Sequence, residues 1–80
     1  MMTIMHSGHR IEVKGWGKEA IFYDGRQMTG KWSVFGSTHV FQVEEDGEAV
    51  TYEIEIGLRW YGCSYWVQAR RNGIIFFTDK

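Results

Sequence analysis

The side chains in this sequence best suited to chemistry are His6, His9, His39 and Cys63. Together they would offer four ligands of the kind zinc prefers, but structural zinc draws its ligands in close pairs. Only His6 and His9 are so spaced; His6 falls in a stretch read as a flexible N-terminal tail over residues 1–8, and His9 directly follows it. No metal site is assigned. Cys63 with His39 as its base would make a nucleophilic pair only if the fold brought them together. A lone cysteine otherwise serves as a small apolar filler. No catalytic residue is assigned, and the chain is expected not to be an enzyme.

Two segments imitate phosphate-binding loops. GWGKEA (15–20) matches G-x-G-x-x-A, and GRQMTGKW (25–32) matches G-x-x-x-x-G-K. The first motif counts only where a strand leads into a helix whose N-terminus receives the pyrophosphate. Here IFYDG follows, a strand and a turn. The second needs Ser or Thr after the lysine to reach magnesium, and this chain has Trp32. Neither carries a nucleotide, and no cofactor is expected. The carboxylates Glu44, Glu45, Asp46, Glu48, Glu53 and Glu55 crowd one hairpin. Nothing around them suggests the desolvated pocket that would raise one pKa for acid–base work, so they read as a solvated acidic face.

The remaining chemical signal is LRWYGCSYWVQARR (58–71), with Trp60, Tyr61, Tyr65 and Trp66 around Cys63 and three arginines nearby. Most of these rings are expected in core and hairpin packing. Arg59, Trp60, Trp66, Arg70 and, further on, Phe77 form the candidate interaction surface, because Trp, Tyr and Arg are enriched at protein contacts. The alternative use of the same residues is a stacking platform for single-stranded nucleic acid. Against it stands a net charge of −1, which gives no general attraction to phosphate.

These residues must be positioned by strands. Asp24-Gly25, Asp46-Gly47 and Asn72-Gly73 are pairs that favour two-residue hairpin turns. A turn at 46–47 puts Val43 opposite Val50, Phe41 opposite Tyr52 and His39 opposite Ile54. Gln42, Glu44, Thr51, Glu53 and Glu55 then share the other face, and a slip of one residue would mix the two sets. That register leaves Glu45 facing Glu48 at a solvated end. The turn at 24–25 pairs Tyr23 with Arg26 and Ile21 with Met28, and continues the inner face through Trp32 and Val34. In RIEVK (10–14), Ile11 and Val13 point inward. IIFF (74–77) is apolar on both faces, so it is either covered on both sides or a patch that needs a partner. No window repeats apolar positions at helical spacing. The expectation is an all-β domain over 9–80: an antiparallel β-sandwich or open barrel of about seven strands in meander hairpins.

The order HRIEV, GKEAIFYDGR, KW, HVFQV, VTYEIEIG and GCSYWVQARRNG resembles one repeat of the Fas apoptotic inhibitory molecule family, over about residues 9 to 75. The resemblance implies a compact antiparallel β-sandwich without a cofactor, in a soluble, cytoplasmic, non-enzymatic group that acts through protein contacts in cell survival. That family has two such modules and this chain has one, so no functional residue is carried over. One cysteine, no apolar run of membrane-spanning length and no signal-peptide stretch make the cytoplasm the expected compartment. The expected function is a small protein-binding or self-associating module. The chain ends just after a strand-like segment, as would a domain cut from a longer protein.

Overall fold

A computed structural model describes residues 2–15, 17–33, 36–59 and 64–80. Eight strands follow one another: β1 (Met2–His6), β2 (His9–Lys14), β3 (Gly17–Tyr23), β4 (Arg26–Ser33), β5 (Gly36–Glu45), β6 (Glu48–Leu58), β7 (Tyr65–Arg71) and β8 (Ile74–Thr78). They form two four-stranded antiparallel meanders, β1-β2-β3-β4 and β5-β6-β7-β8, packed as a small β-sandwich. Helix is absent among the described residues.

Four hairpins set this order, each closed by two residues at positive φ: Ser7-Gly8, Asp24-Gly25, Asp46-Gly47 and Asn72-Gly73. That backbone matches the twist of the flanking strands, and Gly at the second position adopts it without strain. The Ser7-Gly8 turn corrects the expected tail. Residues 2–6 are a strand paired with β2, Met2 with Val13 through His6 with His9. They bring the count to eight strands and bury Ile4.

The central hairpin has the expected register, with Val43 opposite Val50, Phe41 opposite Tyr52, His39 opposite Ile54 and Glu45 opposite Glu48. At the turn after β3, Tyr23 pairs with Arg26, but Ile21 pairs with Thr29 and not with Met28. Met28 is a bulge, and the extra residue reverses the alternation beyond it. Trp32 therefore points to solvent, 80% exposed, and not inward as expected. Val34 lies outside the described residues. The hairpin after β7 repeats the device: Arg70 pairs with Ile75 and Ala69 with Phe77, passing over Phe76. In both sheets the skipped residue lies three positions beyond the turn glycine, so the halves of the chain share one plan.

The sheets meet through a core of Ile4, Ile11, Val13, Ile21, Phe41, Val50, Tyr52, Ile54, Ile56, Val67 and Ala69. Their alternate neighbours face out. Two glycines admit close approaches that any side chain would block. A Cβ at Gly57 would lie 2.2 Å from Cζ2 of Trp66, whose ring covers that stretch of β6. At Gly36, with φ +105°, it would lie 2.1 Å from the carbonyl oxygen of Ile56.

Candidate interaction surface and buried polar clusters

The described members of the proposed surface, Arg59, Trp66, Arg70 and Phe77, do not form one exposed patch. Trp66 is half-buried on β7, laid over Gly57 with the Lys80 ammonium 4.7 Å above its ring. Arg70, on the same face, is 3.2 Å from Glu53 and 3.6 Å from Glu55. Arg59 donates to the backbone carbonyl of Asp79 at 2.8 Å and lies 3.5 Å from its carboxylate. Phe77 points the other way, half-buried against the core. Trp60, Tyr61, Gly62 and Cys63 lie outside the described residues. On this sheet each described arginine already faces a carboxylate, which weakens its pull on phosphate.

Met5, Trp32 and Val40 are exposed singly, and the one adjacent pair of exposed large apolar side chains among the described residues lies along β8, the outer strand of its sheet. Phe76 and Phe77 turn inward because of the bulge, and Ile74 and Ile75 are left 73% and 49% exposed. Of the four edge strands, β4 carries Arg26 and Lys31 and β5 ends in Glu44-Glu45, whereas β1 and β8 have no Asp, Glu, Lys or Arg; β1 exposes one large apolar side chain, Met5, and β8 exposes two, Ile74 and Ile75. Charges on an edge discourage pairing with another chain; here the inhibition is missing. Beside Ile74 is a shallow cavity of about 210 Å³ lined also by His6, Arg71 and Phe76. The His6 ring lies 4.3 Å from that of Phe76, so the end of β1 sits against β8.

Beneath this surface is a buried carboxylate. Glu45 was expected in solvent, but it is 7% exposed. Its Oε2 accepts from the Tyr23 hydroxyl and, at 2.6 Å, from the Tyr52 hydroxyl. Its Oε1 accepts from Nη2 and Nε of Arg71 at 2.9 and 3.3 Å. Burial alone would raise its pKa; the hydrogen bonds from Tyr23, Tyr52 and Arg71 outweigh it and bring the carboxyl down to about 2. Tyr52 is pushed up to about 12 by burial and then by its bond to Glu45. These donors come from β3, β6 and β7, so one ion joins both sheets. Nearby, Asp24 accepts from the Arg10 amide at 2.8 Å and sits 2.7 Å from Nδ1 of His9. His6 and His9 thus flank a turn, and His9 has a carboxylate as its partner.

A second cluster lies between β3, β4 and β5. Glu19 and His39, both buried, are 2.9 Å apart through Oε1 and Nε2. Ser37 donates to Glu19 Oε1, and Thr29 Oγ1 is 2.6 Å from His39 Nδ1. Each ring nitrogen of His39 has a partner, Nε2 in Glu19 and Nδ1 in Thr29. The residue types are those of a hydrolytic triad, but the serine proton is directed at the carboxylate. Solvent reaches 0% of the His39 side chain and 2% of Glu19. What this arrangement does is tie the sheets together with satisfied hydrogen bonds. No buried side-chain nitrogen or oxygen among the described residues lacks a partner, and no metal-holding group of His, Cys, Asp and Glu occurs among them.

No family model, curated protein or solved structure matches this chain.

Proposed function

We propose that the protein is a non-catalytic module that associates with a second copy of itself along β8. The observation that carries this reading is the exposure of Ile74 and Ile75 on an edge strand without a charge. A strand edge presents unpaired backbone N–H and C=O groups, and another strand satisfies them at once. Two copies of β8 running antiparallel about a two-fold axis would join two four-stranded sheets into one of eight. The contact is isologous, so one patch serves both partners. Its flanks are compatible: the nearest charge on the outer face is Arg70, already held by Glu53 and Glu55. Nothing like-charged is forced together.

The strand spans only Ile74–Thr78 and has a bulge, so the contact is small and weak. A dissociation constant on the order of 10–100 μM suits an interface at the low end of the size range. Sedimentation velocity over a concentration series tests it. Wild type is expected to shift from monomer to dimer, and Ile75→Lys to remain monomeric with an unchanged fold. A wild type that stays monomeric to millimolar concentration overturns the proposal, as does an Ile75→Lys variant that dimerises equally well.

A further inference from the structure

The net charge of −1 conceals a division between the two sheets. The outer face of the β1–β4 sheet carries three cations, Arg10, Lys14 and Lys18, against one carboxylate, Glu12, which sits 3.1 Å from Arg10. The outer face of the β5–β8 sheet carries Glu44, Glu53 and Glu55 against Arg70 and Lys80, whose ammonium lies over the Trp66 ring. One face is therefore +2 and the other −1. Lys14 and Lys18 have no ion pair among the described residues. Directly across from Lys18 is Trp32, the most exposed of the large hydrophobic side chains at 80%. Phe22, half-buried, lies on the same face four residues along β3 from Lys18, about 13 Å at the rise of a strand. Gly30 and Ala20 pair between the two rings, and the amide of Gln27 lies over Gly30, so no large apolar side chain separates them.

We infer that this face binds single-stranded nucleic acid, with Trp32 stacking on a base and Lys14 and Lys18 meeting phosphates. An exposed ring beside unpaired lysines on an open sheet is the arrangement by which single strands are held without sequence readout. A stiff duplex keeps its bases stacked away from such a ring. The acidic opposite sheet repels phosphate, so it sets which side is used. Protein edge pairing along β8 is a separate surface and is not required. With only a few cations engaged, binding is weak and sensitive to salt: a Kd of order 10⁻⁴ M near physiological salt, tightening steeply below it.

The experiment is a titration of a fluorescein-labelled oligothymidylate with the protein at low salt, followed by anisotropy and by quenching of tryptophan emission. Wild type is expected to bind. Trp32→Ala should weaken binding at least fivefold, since stacking on one base contributes about 1–3 kcal/mol. Lys14→Glu combined with Lys18→Glu should abolish it, and Arg70→Ala on the other sheet should leave it within about twofold of wild type. Circular dichroism checks that each variant keeps its fold, as substitutions at exposed sites do. The inference is overturned if no oligonucleotide binds at low salt, or if Trp32→Ala binds as wild type does. It is also overturned if the lysine changes alter only sedimentation, which would make the acidic sheet of a second copy the partner. Binding to phosphatidylserine vesicles without binding to oligothymidylate would assign the face to membrane instead.

Discussion

Glu45 shows how much a single buried ion decides. Its folded pKa of about 2 lies below the ordinary 4.5, so the folded state holds the carboxylate where the unfolded chain takes up a proton. The resulting stability is fully present above about pH 4.5 and disappears as pH falls towards 2. Glu45→Gln is expected to cost on the order of 2 kcal/mol at neutral pH. It should also flatten the loss of stability on acidification, which urea unfolding at neutral and acid pH measures. A variant as acid-sensitive as wild type would show that other carboxylates control that limb. Gly57→Ala makes a second test. The added methyl would displace the Trp66 ring, for a cost of about 1–3 kcal/mol and a change in tryptophan emission. The sequence concealed both Glu45 and Glu19, because a glutamate in an acidic hairpin or after a lysine reads as solvated. Their partners are Tyr23 and Arg71 for one and His39 for the other. These lie 20 or more positions away, since the pairs are 22, 26 and 20 positions apart, and no local pattern connects them.

At the scale of elements, turns and alternation were legible and bulges were not. Asp46-Gly47 and the alternation around it fixed every pair of the β5–β6 hairpin, because a wrong register would have moved Phe41 and Ile54 to opposite faces. A bulge changes parity without any local composition to announce it, so Trp32 was assigned inward although it faces solvent. Ser7-Gly8 was passed over because serine is a less usual first residue for this turn than Asn or Asp. The strand it creates leads to a clear expectation: Ile4→Ala should destabilise the protein by about 2–4 kcal/mol, as loss of a buried branched side chain does. Thermal or chemical unfolding measures this, and a change under about half a kcal/mol would return residues 2–6 to the status of a tail.

At the scale of the molecule, the two sheets divide their labour. Their inner faces make one core, bridged by the Glu45 and Glu19 clusters. Their outer faces carry opposite charge, and the outer strand β8 exposes two adjacent apolar side chains without a charge beside them. The aromatic stretch at 58–71 drew attention in the sequence because its rings and arginines are adjacent, but adjacency along a chain does not show which arginine meets a carboxylate. The fold answered that for Arg59, Arg70 and Arg71 and moved the candidate contact to Ile74 and Ile75. The most direct test of that assignment is a dilution series of amide spectra by nuclear magnetic resonance, from about millimolar to about 10 μM, the range that brackets the proposed affinity. Concentration-dependent shifts confined to Ile74–Thr78 and the neighbouring His6 and Arg71 are the expected result. Spectra that do not change on dilution, or shifts centred on another strand, would contradict the account.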